Sequence, residues 1–191
     1  PLFCAGSTVF SPLLEFDIKP TDRVGVVGIG GLGHLALRFL NAWGCEVTAF
    51  TSSLNKQDEA KRLGAHKVVA STDSAAMKAI AGTLDFLLVT ASADLDWQAL
   101  IATLRGKGRL HFVGIVPSAI PVHVFNLIPQ QKSLSGSPVG SPKTMATMLE
   151  FCARHQILPQ VEQFPMSQVN AAIDHLRSGK ARYRVVLDAS Q

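Results

Sequence analysis

Four glycines, Gly28, Gly30, Gly31 and Gly33, close the apolar run Val24-Gly25-Val26-Val27 and open a stretch with apolar residues at helical spacing: Leu32, Leu35, Ala36, Phe39 and Leu40. Strand, tight turn and helix with this spacing is the arrangement that receives a dinucleotide. Gly28 lets the chain turn sharply out of the strand. Gly30 has no Cβ, so a pyrophosphate can approach the backbone, and Gly33 lets the helix pack close to the strand. The free N–H groups at the helix start then face the anion. A second group follows at the end of the next strand, Thr51-Ser52-Ser53 with Lys56 one turn on. An NAD site usually carries an acidic residue here for the adenosine ribose, and this chain has none. Hydroxyl donors with a cation suit a 2′-phosphate, which a carboxylate would repel, so the pattern favours NADP over NAD. The same residues also serve as a cap for the following helix. A third candidate is Cys4. From composition alone a lone cysteine reads either as a small buried hydrophobe or as a metal ligand.

The elements that must position these groups alternate along the chain. Strands are predicted at 23–28, 46–50, 67–70, 86–90 and 108–113. Helices are predicted at 31–43, 56–63, 74–81 and 95–104, the first two stopped by Gly44 and Gly64, the last two capped by Asp73 and Asp94. This alternation predicts an α/β, doubly wound parallel sheet of Rossmann type. Val24, Val26, Val27, Val68, Val69, Leu87, Leu88, Val89, Phe112 and Val113 read as buried on both faces, as such a sheet requires. A leading helical stretch carries Pro12 near its start or at a kink. After Gly114 the pattern loosens: a short edge strand at 122–125, a short helix at 126–131, and a sixth strand at 133–136. A helix at 142–155, a strand at 160–164, a helix at 167–178 and a last strand at 184–187 complete the reading. The Ser/Gly/Pro-rich run 135–142 is the one internal boundary, dividing a dinucleotide-binding unit, 1–137, from a returning segment, 138–191.

Composition excludes several classes. With 47% hydrophobic and 17% charged residues the 191-residue chain is globular rather than disordered. No run approaches the ~18 apolar residues that span a bilayer. The net charge of +4 comes from scattered Lys and Arg, which argues against nucleic acid and for a small phosphate-bearing ligand. Three cysteines, Cys4, Cys45 and Cys152, lie far apart without a C-x-x-C pair. They predict reduced thiols in the cytoplasm and no zinc ribbon. An opening Pro1 with no initiator Met points to processing or to a piece of a longer protein. The histidines read as structural: His34 as the holder of a hydrogen bond in the first turn of its helix, His111 and the others as surface or satisfied core residues.

Taken together, Cys4-Ala5-Gly6-x-Thr8-Val9, the glycine run with His34 and Ala36, and Thr51-Ser52-Ser53 with Lys56 resemble one family. It is the zinc-type medium-chain alcohol dehydrogenases, in the branch of the cinnamyl alcohol dehydrogenases and bacterial NADP-dependent aldehyde reductases. Residues 125–127 and 135–137 also fit, and the resemblance runs from Pro1 to about Leu187. The single departure is Phe10, where the family has Tyr.

The resemblance implies that Cys4 is one ligand of a catalytic zinc whose other ligands lie outside this chain, and that Thr8 lies against the nicotinamide. It implies that Gly30, Gly31, Leu32 and Gly33 cradle the pyrophosphate while Thr51, Ser52, Ser53 and Lys56 hold the 2′-phosphate. Val113, Gly114, Ser135, Gly136 and Ser137 then line the nicotinamide side. The C-terminal segment belongs to a catalytic domain absent from this sequence, and dimers form through Rossmann edge strands, here 122–125. The implied reaction is hydride transfer between NADPH and an aldehyde at zinc. One thiolate cannot hold that zinc, so the chain by itself is expected to bind cofactor without turnover. The rival readings are a zinc-free quinone or enone reductase of the same superfamily and a non-catalytic NADP-binding module.

Overall fold

A computed structural model of the chain describes residues 1–52 and 54–190. Its main sheet has six parallel strands in the order β3-β2-β1-β4-β5-β6. They are β1 (Arg23–Val27), β2 (Glu46–Thr51), β3 (Lys67–Ala70), β4 (Leu84–Val89), β5 (Leu104–Phe112) and β6 (Ser133–Gly136). The order reverses between β1 and β4: the chain winds outward from β1 to β3, then crosses back to lay β4 beside β1. That switch point opens a crevice at the C-terminal ends of the two central strands, where ligands of such sheets bind.

Helices cover both faces. On one lie α1 (Ser7–Glu15), α2 (Gly33–Trp43), α3 (Gln57–Arg62) and, beyond the sheet, α6 (Pro142–His155). Their apolar sides close one core with Val24, Val26 and Leu88, which includes Phe10, Phe39, Leu40 and Met148. On the other face α4 (Ser74–Ala79) and α5 (Trp97–Thr103) close a second core around Phe50, Leu87, Leu100 and Leu110. Both tryptophans serve these cores, Trp97 buried outright and Trp43 packed at the margin. Asp73 caps α4 by accepting from the Ala75 and Ala76 amides, and Ser141 caps α6 ahead of Pro142 at its first turn. Gly44 ends α2 at φ 106°, a left-handed stop that glycine adopts without a steric penalty.

A second, two-stranded parallel sheet pairs β7 (Val161–Pro165) with β8 (Arg184–Asp188), and α7 (Val169–Arg177) lies between them in sequence.

Four expectations are corrected. Residues 122–125 do not form an edge strand: Val124–Asn126 is a 3₁₀ turn behind His123, and Ile128–Gln130 is another. Pro121 begins a segment whose backbone folds on itself, the Asn126 amide donating to the His123 carbonyl, so it offers no ladder. The outer strand on that side is β6. Asp94 does not cap α5. Asp96 does, accepting from the Ala99 amide, while Asp94 accepts from the Ser118 hydroxyl. Val68, Phe112 and Val113 are half-buried rather than buried, because β3 is an edge strand and β5 ends at Phe112. Pro12 sits inside α1.

Candidate functional site

The glycine run lies at the switch point. β1 ends and Gly28 turns at φ 91°, a conformation in the left-handed half of the map that costs side-chain-bearing residues. Its amide donates to the Phe50 carbonyl at 3.1 Å, and its carbonyl accepts from Thr90 Oγ1 at 2.9 Å. Thr90 follows β4, so the two central strands are tied together beneath the turn. A Cβ at Gly33 would overlap the Gly28 carbonyl oxygen, which is why α2 can start so close to β1. At Gly30 nothing lies within 4 Å of where a Cβ would stand: the space above the backbone is open. A Cβ at Gly31 would stand 2.8 Å from Nη1 of Arg184, so a guanidinium lies across the loop. An open backbone at the N-terminus of an eleven-residue helix, with a permanent cation beside it, fits a phosphate-bearing ligand.

His34 holds this loop from beneath. Its ring is fully buried. Nδ1 lies 3.1 Å from the Gly30 carbonyl oxygen, and the Gln160 amide donates to Nε2 at 3.3 Å. The ring stacks on Tyr183, centroids 4.8 Å apart and planes within 9°. An accepting Nε2 and a donating Nδ1–H define a neutral imidazole. Burial pulls its pKa down to about 4, and Arg184 and Arg38 add to the shift against the raising effect of the Gly30 hydrogen bond. The histidine expected to be structural is therefore a pin: it joins the loop to the chain entering β7 and to that entering β8. Arg182 Nε reaches Glu59 Oε1 of α3 at 3.2 Å, a third tie between the C-terminal segment and the main body.

At the end of β2, Thr51 is buried, Ser52 is exposed, and Lys56 closes a 3₁₀ turn, Leu54–Lys56, half-buried. Ser53 lies outside the described residues. Thr72 Oγ1 donates to the Ser52 carbonyl at 3.2 Å and Ser71 Oγ to that of Thr51 at 3.2 Å, so the end of β3 braces the end of β2. Alongside, a cavity of about 660 Å³ runs from Ser71, Thr72 and Asp94 down between α4 and α5 onto Met77 and Leu100. It is large enough for a planar heterocycle.

Across the crevice, β5 and β6 bring Val113, Gly114, Ser135, Gly136 and Ser137 together. The Val113 and Gly114 amides both donate to the Val89 carbonyl at 3.0 Å, and the Ser137 amide donates to Phe112 at 3.2 Å. A Cβ at Gly114 would press on the Thr90–Ala91 backbone, so this glycine lets β5 leave the sheet against β4. Cys4 and Thr8 share the start of the chain. Cys4 is exposed in the π-helical turn, and Thr8 Oγ1 donates to its carbonyl at 2.8 Å. Among the described residues no three His, Cys, Asp or Glu side chains are grouped to hold a metal ion. Cys4 is one thiol and does not by itself fit a zinc centre.

Sequence reading missed Arg184 and Thr90 and the extent of the His34 contacts. Nothing in the glycine spacing points to residues so far along the chain. The one available signal was the cationic Arg182-Tyr183-Arg184 leading into the last strand.

The sequence pattern described as zinc-binding dehydrogenase matches residues 31–154. The chain is 55% identical, over 191 residues, to the aldehyde reductase AdhA of Synechocystis, and spans 100% of itself and 57% of that protein. Among solved structures it resembles the cinnamyl alcohol dehydrogenase SbCAD4 of Sorghum bicolor, with a TM-score of 0.95 and 40% identity over 100% of this chain and 54% of that one. It also resembles the Helicobacter pylori CAD complexed with NADP(H), with a TM-score of 0.88 and 30% identity over 100% of this chain and 55% of that one. The chain thus spans about half the length of the relatives it matches.

Proposed function

This chain belongs to the zinc-binding dehydrogenase family, and from that premise we propose that it is the NADP(H)-binding portion of a zinc-dependent alcohol dehydrogenase that interconverts an aldehyde and its alcohol. The observation that carries the reading is the pairing of an open phosphate loop, Gly28 to Gly33, with a β2 end that offers Ser52 and Lys56 and no carboxylate. The complex of the H. pylori relative with NADP(H) supports the same choice of cofactor.

In this reading the amides of Gly31, Leu32 and Gly33, which lead into α2, meet the pyrophosphate, and Arg184 pairs with it from above. Thr51, Ser52, Ser53 and Lys56 hold the 2′-phosphate, and the adenine enters the cavity beside Ser71 and Thr72. Val113, Gly114 and residues 135–137 orient the nicotinamide through backbone groups, with Thr8 on its other side. NADPH, when bound, supplies the hydride. What this chain's residues supply is orientation, and holding a ring at its reaction distance is worth several kcal/mol of barrier. Cys4 is assigned as one zinc ligand, the set being completed by residues outside this sequence.

Residues 1–137 form the dinucleotide-binding unit and 138–191 the segment returning toward a catalytic domain. Support comes from β7 and β8, which pair with each other and not with the main sheet. The exposed Ile115, Val124, Phe125 and Ile128, in the segment that joins β5 to β6, support a homodimer through that segment. The three free cysteines support a reducing, cytoplasmic setting.

The test is titration with NADPH and, separately, NADH, followed by fluorescence at fixed salt. Binding of NADPH at least ~10-fold tighter, about 1.4 kcal/mol, is the expected result. Equal affinities overturn the 2′-phosphate assignment, and binding of neither overturns the cofactor reading.

A further inference from the structure

His111 sits one strand in from the β6 edge, next to the last residue of β5, and is fully buried. Both of its ring nitrogens are engaged: Nδ1 lies 2.8 Å from Ser135 Oγ and Nε2 2.8 Å from Ser137 Oγ. Ser135 lies in β6 and Ser137 directly follows it; residues two apart on an extended chain face the same side of the sheet, so one imidazole clips both.

The strand being clipped needs it. β6 is four residues long, none of them buried, and it is the outermost strand of the sheet. Its ladder to β5 runs from Arg109↔Ser133 to Phe112↔Gly136. Beyond that, one amide, that of Ser137 to the Phe112 carbonyl, holds the chain before Pro138. The His111 clip extends the grip to Ser137 through a side chain.

Packing alone would not select a histidine here. Its ring lies 4.9 Å from Phe16 and 5.9 Å from Phe86, surroundings that a leucine or phenylalanine would fill without polar atoms. A buried imidazole left without partners costs about 1–3 kcal/mol, and here the partners come from β6 and the residue that follows it. Burial pulls the His111 pKa down to about 4, so near neutral pH the ring donates through one nitrogen and accepts through the other.

We propose that His111 is a positioning residue for the nicotinamide end of the cofactor, acting through Ser135 and Ser137 to set where the end of β6 stands against Val113 and Gly114. The proposal rests on the cofactor reading above. Backbone recognition tolerates errors of only about 0.5 Å, and an unclipped four-residue edge strand does not hold that tolerance.

The test compares two ligands. NADPH carries the nicotinamide; 2′,5′-ADP carries the adenosine and 2′-phosphate and nothing at the β6 end. Ser137→Ala is expected to weaken NADPH about fivefold, the scale of one hydrogen bond, with 2′,5′-ADP affinity unchanged. His111→Leu is expected to lose more, again for NADPH alone. The two changes combined should lose no more than His111→Leu by itself, because they break the same clip. The emission of bound NADPH should shift toward that of the free cofactor in step with these losses. Equal losses for both ligands, or none for either, overturn the proposal while leaving the cofactor reading intact. Failure of the unaltered protein to bind either ligand overturns that reading itself, and the proposal with it. Should His111→Leu fail to fold, Ser137→Ala and Ser135→Ala carry the same comparison.

Discussion

The molecule contains two parallel sheets, and they are built on opposite terms. In the six-stranded sheet Val24, Val26, Val47, Leu87 and Val89 are wholly buried, and helices seal both faces. In the two-stranded sheet no residue of β7 or β8 is buried, and Leu158, Met166 and Leu176 nearby face solvent. Parallel sheets ordinarily bury both faces, and a two-stranded ribbon alone has little stability. The large sheet makes its own core. The small one is held by its ties to the glycine loop and to α3: Gln160 and Tyr183 on His34, Arg184 across Gly31, and Arg182 on Glu59. Stability and ligand geometry are therefore separable here, the first lying in the body and the second partly in its attachment to the tail.

The largest expected effect falls in the body. Phe10 is buried and its ring meets Phe39, Trp43 and Phe151 at centroid distances of 5.4, 5.9 and 5.3 Å. Phe10→Ala should cost about 3–5 kcal/mol in urea unfolding. A cost below ~1 kcal/mol would mean that this core is not what holds the fold, and the contrast would collapse.

The intermediate effect is on pH. His34 and His111 each have a folded pKa near 4, below the ordinary 6.5. Between those values the unfolded chain binds protons that the folded chain refuses. Stability is therefore full above about pH 6.5 and falls as pH drops toward 4, by about 1–3 kcal/mol for each ring. His34→Gln should flatten its share of that slope in melting curves taken between pH 7 and 4.5. Were His34 to titrate near 6.5 by NMR, the tail would not be seated on it.

The smallest effect belongs to the tail. Leu176 is 55% exposed on α7, and Leu176→Ser should change unfolding stability by less than ~0.5 kcal/mol. A loss above ~1 kcal/mol would show that the small sheet has a core of its own.

The body was legible because its signals are local. A β-branched run ending in glycine, an apolar helical stripe and Asp73 ahead of α4 each fix an element within a few residues, and the helix predicted at 142–155 is found with those bounds. Where two local signals compete, the reading slipped. Asp94 and Asp96 are equally good caps on paper, and only the placement of the Ala99 amide decides between them. Val122 and Val124 read as strand by propensity, but Pro121 and the turn-forming His123–Asn126 backbone decide otherwise. In the site, glycine spacing marks the loop because each glycine answers a steric demand within that loop. The Arg184 guanidinium, the Tyr183 ring and the His111 clip were illegible for the converse reason: each acts on a residue far away in sequence, and no periodicity encodes that meeting.

The His34–Gln160 bond joins residues 126 positions apart, which has a meaning in time as well as in space. At translation rates of about 5–20 residues per second, roughly 6 to 25 s separate the emergence of the two residues from the ribosome. Through that interval the nascent glycine loop exists with its imidazole uncovered. Only when Tyr183 arrives does the ring exchange water for a tyrosine face. The glycine loop is thus synthesised well before the contacts that finish it.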